Sequence, residues 1–317
     1  MKIVFLGTPE FAVGTLDTIY KAGHEVAAVV TMPDKPAGRG LQMQHSAVKT
    51  YALAHQIPVL QPESLKEPDF IAQLSALQAE LFVVVAFRML PEAVFAMPPK
   101  GTFNVHASLL PNYRGAAPIQ RAIMNGETKS GVTTFFLNKG MDTGDIIDST
   151  EVAISENDTA GDLYERLMIE GGKLAVKTIT AIENGTLTTR KQPEIEPAQL
   201  KTAQKILKED MHINWNRSAQ EIYNQIRGLS PYPAAFTILK NNQNEFFNFK
   251  IFKVRICPEK ATLQAGSIEV EMHRNIKIHA KDCKIELVEV QLQGKKRMNC
   301  RDFLQGFDFN NFINIAY

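Results

Sequence analysis

Across its first two hundred residues the chain alternates short apolar runs with amphipathic stretches, a pattern that few folds accept. Lys2–Leu6 is an unbroken apolar run that reads as a buried strand. In Gly7-Thr8-Pro9 the threonine suits a helix N-cap and the proline a first helical position, so a helix is predicted to run to Lys21. Gly23 ends it and Val26–Val30 supplies the next strand. The alternation continues with helices over Ser46–His55 and Asp69–Leu77, strands over Leu81–Ala86 and Thr102–Val105, and a helix over Ala117–Met124. Gly131–Leu137 and Gly144–Ile154 read as a later strand pair, and Thr159–Asn184 as a long closing helix.

Strands that are each followed by a helix imply a mostly parallel sheet with helices on both faces. The expected architecture for residues 1–190 is therefore α/β, Rossmann-like and doubly wound. Gln192–Lys208, with Pro193, Pro197 and mixed charge, reads as part of a linker over residues 191–208. Ser218–Arg227 is predicted to be an amphipathic helix stopped by Gly228-Leu229-Ser230-Pro231-Tyr232-Pro233. Beyond Ala235, the alternating segments Phe247–Ile256, Gly266–Val270 and Asn275–Ala280 point to a small OB-like β-barrel within residues 209–317. A nicotinamide enzyme is the obvious rival for the first domain. Gly7-Thr8-Pro9 is not G-x-G-x-x-G, however, and proline and glutamate stand where a pyrophosphate needs small residues. A phosphate-gripping P-loop is absent from the sequence as well.

Composition narrows the classes further. The 317 residues are 44% hydrophobic and 22% charged, which suits one large or two ordinary globular domains. No apolar run approaches the roughly 20 residues that cross a bilayer. The opening residues read as a first strand rather than a signal peptide. Cys257, Cys283 and Cys300 show no paired spacing, which argues against a disulfide framework or zinc site and for a reducing cytoplasm. The histidines form no metal-ligand cluster; His273 and His279 read as strand surface residues. Residues 1–200 carry 17 Lys and Arg against 22 Asp and Glu, a net −5, whereas residues 201–317 carry 18 against 12, a net +6. A basic C-terminal third attached to an acidic body suggests a surface for a polyanion.

The chemistry concentrates in Asn104, His106 and Asp142. Asn104 and His106 lie two apart in an apolar run, so on a strand their side chains share one face. Asp142 follows in Gly140-Met141-Asp142-Thr143-Gly144, a loop composition. An amide, an imidazole and a carboxylate together can hold an oxyanion, move a proton and orient the group that moves it. Taken singly, an Asn or His near a strand end is more often a structural polar group. In a doubly wound sheet, though, the site lies beyond the carboxyl ends of the strands, where both residues fall. Ser108 lacks the Gly-x-Ser-x-Gly context of a nucleophile and reads as a structural hydroxyl.

The stretch Ser108-Leu109-Leu110-Pro111-Asn112-Tyr113-Arg114-Gly115-Ala116-Ala117-Pro118-Ile119-Gln120 closely resembles the signature of the folate-dependent formyltransferases, and the resemblance runs the full length of the chain. It implies formyl transfer from 10-formyltetrahydrofolate to an amine, with Asn104, His106 and Asp142 catalytic and no metal. It also implies a folate site built from Phe87, Arg88, Met89, Leu90, Ser108, Leu109, Leu110, Pro111, Lys139 and Gly140. Pro33-Asp34-Lys35-Pro36-Ala37-Gly38-Arg39-Gly40, the segment Ala219–Pro233 and Gly294-Lys295-Lys296-Arg297-Met298 resemble the branch that formylates initiator methionyl-tRNA. In that branch Lys35 and Arg39 would meet the acceptor end, and Lys295, Lys296 and Arg297 would form a basic hairpin that contacts tRNA. Two departures stand out. Leu41-Gln42 replaces a pair of lysines after Gly40, and Ala86-Phe87-Arg88-Met89-Leu90-Pro91 is one residue shorter than the usual segment. Arg114 is expected to structure its own turn, and Arg39 to make the acceptor-stem contact.

In the implied mechanism the neutral methionyl amine attacks the formyl carbon. The oxyanion falls to the Asn104 amide and His106, with Asp142 orienting His106. A monomer is expected. Two alternatives remain: an enzyme formylating a nucleotide-sugar amine, which needs no basic C-terminal face, and a non-catalytic RNA-binding protein on an old enzyme body.

Overall fold

The computed structural model describes residues 1–37, 42–194, 196, 199–271, 274–307, 309 and 312–316. The chain packs as two compact units. One comprises residues 1–118, 129–153 and 164–203, and the other residues 119–128, 154–163 and 204–317.

In the first unit, β1 (Lys2–Gly7) leads through α1 (Glu10–Lys21) to β2 (Glu25–Val30), and a short antiparallel hairpin of β3 (Lys35–Ala37) and β4 (Gln42–Gln44) follows. Next come α2 (Ala47–Ala54), β5 (Val59–Leu60), α3 (Pro68–Ala76), β6 (Leu81–Val85), α4 (Glu92–Phe95) and β7 (Thr102–His106). The two-residue β8 (Arg114–Gly115) precedes α5 (Pro118–Met124), which from Ile119 on belongs to the second unit, then β9 (Lys129–Phe136), β10 (Ile146–Ala153) and α6 (Ala160–Glu183), whose residues to 163 also belong to the second unit. Among the described residues the sheet has the order β10-β9-β7-β6-β1-β2-β5. Strands β5, β2, β1, β6 and β7 run parallel, and β9 and β10 turn antiparallel at one edge. The doubly wound expectation is thus met. Strand order reverses between β1 and β6, which opens a crevice beyond their carboxyl ends. Side chains of β1 and β6 such as Val4, Leu6, Phe82 and Val84 fill one apolar cluster with Phe70, Leu74 and Val94.

The expected first cap is corrected. Pro9 occupies the N-cap of α1 with ψ 175° and offers no side-chain acceptor, and the hydroxyl of Thr8 caps nothing. Ser46, in contrast, does cap α2, accepting from Lys49 N at 3.0 Å.

After α6 a short β11 (Thr202–Ala203) pairs in parallel with β8. The second unit continues with α7 (Lys208–Met211), α8 (Ala219–Leu229), β12 (Ala235–Asn241), β13 (Phe246–Lys260), β14 (Ile268–Glu271), β15 (Asn275–His279), β16 (Cys283–Leu292), β17 (Met298–Asn299), α9 (Cys300–Gly306) and β18 (Phe312–Ala316). Its antiparallel sheet follows the path β14-β15-β16-β13-β12-β18, with β17 on β16, and forms a half-barrel around Trp215, Phe249, Ile278 and Phe309. Ser218 and Glu221 close a capping box at the start of α8. The predicted stop at Gly228 is corrected, because the helix runs on to Leu229. A Cβ on Gly228 would lie 2.6 Å from Met124 Cγ, so this glycine serves close packing against α5. His279 is likewise no surface residue. It is fully buried, its Nδ1 accepting from Thr262 N and Leu263 N at 3.2 Å and its Nε2 lying 3.0 Å from Glu269 Oε1. His273 lies outside the described residues.

Candidate active site

Strand β7 brings Asn104 and His106 out on one face, as its period of two requires. Asn104 pairs with Val84 of β6 on one side and Phe135 of β9 on the other. His106 stands opposite Thr133 and is 6% exposed. Its Nε2 lies 2.8 Å from the carbonyl oxygen of Tyr113. A carbonyl can only accept, so Nε2 carries the hydrogen and Nδ1 is the nitrogen left for chemistry. Nδ1 faces Asp142 Oδ2 at 3.9 Å, too long for a hydrogen bond and near enough for charge stabilisation. Asn104 Oδ1 is buried and has no hydrogen-bond partner among the described residues.

Asp142 sits in a built loop. Asn138 Oδ1 accepts from Gly140 N at 2.9 Å and from Thr143 Oγ1 at 2.8 Å, which tightens the turn. The Asp142 carboxylate accepts from Gly115 N at 2.9 Å. Both Tyr113 (φ 59°) and Asp142 (φ 52°) occupy the left-handed region, where non-glycine residues are uncommon. Backbone outliers of this kind gather at functional sites held by their surroundings. Here Gly115 is required as glycine: its φ is 122°, and a Cβ would lie 2.5 Å from Ala203 O across the β8–β11 pair.

The segment expected to meet folate lies along this site. Thr133 Oγ1 donates to Ser108 O at 2.7 Å and accepts from Leu110 N at 3.2 Å, pinning residues 108–110 above β9. The Ser108 hydroxyl donates to Asn112 O at 2.7 Å and so is occupied within its own turn. Leu110 is buried with Phe135 and Ile146, Pro111 is buried, and Leu109 lies over Gly131. Beyond β6, Arg88 donates to the carbonyls of Pro62 and Glu63 and stacks over Phe87 at 5.7 Å. Leu90 enters the apolar cluster, whereas Met89 is 65% exposed. Gly140 is exposed in the Asp142 loop, and Lys139 pairs with Glu92 at 3.0 Å.

The cationic residues are carried by other segments of the chain. Lys35 is exposed on the β3–β4 hairpin, whose base is tied by Asp34 to Lys49 at 2.5 Å, His45 at 3.0 Å and Gln61 at 2.9 Å. Arg39 lies outside the described residues. In the second unit Lys295 and Lys296 are exposed on the turn between β16 and β17. Arg297 instead grips Glu289 with two bonds of 2.7 and 2.6 Å and lies 4.2 Å above the Phe252 ring. No group of three or more His, Cys, Asp or Glu among the described residues is placed to hold a metal ion. Nor is any described helix long and apolar enough to cross a membrane.

Gly115, Tyr113 and Gln192 were not legible as site residues. A backbone N–H and a carbonyl oxygen leave no mark in sequence, and Gln192 stands in a polar stretch without a periodic signal. Its side chain nevertheless reaches the Asp142 loop, where Nε2 donates to Asp142 O and Gly144 O, both at 2.8 Å.

An amide and an imidazole on β7 with a carboxylate facing the imidazole are groups that can support acyl-type group transfer without a covalent nucleophile. A family profile described as formyl transferase matches residues 1–179, and one described as formyl transferase, C-terminal domain, matches residues 205–308. The chain belongs to the formyl transferase family. A Flavobacterium johnsoniae protein named methionyl-tRNA formyltransferase is 50% identical over 311 residues, 98% of each chain. One of the same name from Bacteroides fragilis is 46% identical over 308 residues, covering 97% of this chain and 95% of that one. An N-formyltransferase from Helicobacter canadensis, solved with folinic acid and dTDP-3-aminofucose, matches with a TM-score of 0.64 at 26% identity, over 90% of this chain and 98% of that one.

Proposed function

We propose that this protein transfers the formyl group of 10-formyltetrahydrofolate to the α-amino group of initiator methionyl-tRNA. The observation that carries the reading is the orientation of His106, whose free Nδ1 faces the Asp142 carboxylate. The neutral amine forms a bond to the formyl carbon, and the carbonyl π electrons move onto oxygen, where the Asn104 amide N–H stabilises the charge. Nδ1 of His106 takes the proton released by the amine, and Asp142 stabilises the imidazolium. When the bond from carbon to N10 breaks, the same Nδ1–H delivers that proton to N10. The products are the formamide and tetrahydrofolate, so atoms and charge balance without a covalent enzyme intermediate.

Folate would lie along Phe87–Leu90, residues 108–111 and the Lys139–Gly140 turn, held largely through backbone groups. Residues 1–190 would carry the transfer, 191–208 the connection, and 209–317 contacts to tRNA through Lys295 and Lys296. Arg297 would contribute with its charge shared by Glu289. Lys35 and Arg39 would meet the acceptor end. Action as a monomer is part of the proposal. The proposed substrates place it in the cytoplasm.

The test is transfer of labelled formyl from 10-formyltetrahydrofolate to charged initiator tRNA, beside charged elongator tRNA and a nucleotide-linked amino sugar. Initiator-selective transfer is the expected result. Transfer to the sugar alone would sink the tRNA assignment and favour the activity that the Helicobacter canadensis structure represents.

A further inference from the structure

We infer that Gln192 and Arg114 are positioning residues for the transfer reaction, acting through the Asp142 loop; the inference rests on the catalytic role proposed for Asp142. The Gln192 amide uses all of its hydrogen-bonding capacity at this point. Nε2 donates its two hydrogens to Asp142 O and Gly144 O at 2.8 Å, while Oε1 receives Arg114 Nη2 at 2.6 Å and Nε at 3.2 Å. A guanidinium only donates and a carbonyl only accepts, so the amide has one possible orientation. The two carbonyls flank Thr143, so the side chain spans the segment that holds Asp142 at φ 52°.

Arg114 precedes Gly115, whose N–H binds the Asp142 carboxylate. A closed circuit therefore joins the Asp142 side chain, Gly115, Arg114, Gln192 and the Asp142 backbone, all within the first unit. Gln192 is delivered to the circuit by the chain after α6, where Arg190 and Ile146 exchange backbone bonds of 2.8 and 2.9 Å. Gly144 adds rigidity from the other side, since a Cβ there would lie 1.6 Å from Phe136 O. With both its backbone and its carboxylate anchored, Asp142 can keep its 3.9 Å relation to His106 without a direct hydrogen bond. Catalytic groups need such support, because misplacement by about 1 Å can cost roughly a hundredfold in rate.

The experiment compares Gln192→Ala, Gln192→Glu, Asp142→Asn and the double variant Gln192→Ala/Asp142→Asn in steady-state formylation, with thermal unfolding as a folding control. Gln192→Glu keeps the size and the acceptor facing Arg114 but offers no hydrogen to the two carbonyls, so it tests the idea even if the alanine variant folds poorly. The expected result is a kcat lower by about ten- to a hundredfold for both Gln192 variants, with KM for both substrates unchanged. The double variant should be no slower than Asp142→Asn, since residues acting as one unit are not additive. Wild-type kcat in the Gln192 variants, or multiplicative losses in the double variant, would overturn the positioning role while leaving Asp142 in place. Near wild-type turnover in Asp142→Asn would instead defeat the catalytic reading and this inference together.

Discussion

His106 is bound by Nε2 to the Tyr113 carbonyl at 2.8 Å, and its Nδ1 therefore looks toward Asp142 Oδ2 at 3.9 Å. The strand supplies the ring, and the left-handed turn at Tyr113 selects which of its nitrogens is bound and which is free.

Replacing Asn104 by alanine removes an amide whose oxygen has no hydrogen-bond partner among the described residues. Loss of one well-placed oxyanion donor costs about 10²–10³ in rate. Asn104→Ala should show that loss in single-turnover formyl transfer with an unchanged melting temperature, because no internal bond to that oxygen is broken. Asn104→Asp should be slower still, since it sets a negative charge against the developing oxyanion. Turnover near wild type in the alanine variant would remove Asn104 from the mechanism.

Gly115→Ala should damage stability and activity together. The new Cβ meets Ala203 O at 2.5 Å, and the φ of 122° disfavours any side chain. Strain of this kind costs roughly 1–3 kcal/mol. Relief of the clash would also drag the N–H away from the Asp142 carboxylate. Calorimetry and kcat on the same preparation should both fall, and a stable, fully active variant would contradict the described turn.

Asp34 gives a pH signature. The Lys49 ammonium and the Gln61 amide hold its carboxyl down at about 2, against an ordinary 3.8. A carboxylate with a depressed folded value contributes stability that is complete above the ordinary value and disappears as pH falls through the depressed one. The stability difference between wild type and Asp34→Asn should therefore be constant above about pH 5 and vanish between about pH 4 and pH 2. Chemical denaturation across that range measures it.

The three cysteines should separate by reactivity. Burial pushes the Cys300 thiol up to about 11 and also raises that of Cys257, whereas Cys283 is only half-buried. The thiolate is the reactive form, so a thiol reagent at about pH 8 should label Cys283 quickly in the native protein and all three after denaturation. Rapid native labelling of Cys300 would mean that its helix opens readily.

The order of strands and helices was legible in the chain because periods of 2 and 3.6 are written in neighbouring residues. So was the pairing of Asn104 with His106, since two residues apart on a strand means one face. The Ser218 cap on α8 is a local bond too, between a side chain and a backbone three positions on, although the sequence reading placed Ser218 inside the helix. The end of α8 was misread because Gly228 is spent on the approach of Met124, about a hundred residues away in sequence. His279 was misread because its partners Thr262, Leu263 and Glu269 meet it only once the half-barrel has closed.

By itself the sequence determined which polar groups the site contains and which strand presents two of them. Only the tertiary structure decided which imidazole nitrogen is free, that Gly115 holds the Asp142 carboxylate, and that Gln192 braces the loop from 50 positions downstream. The physical reason is range. A side chain's direction along a strand follows from its own backbone, but a hydrogen bond between distant segments exists only after the sheet, its turns and the returning chain have packed together.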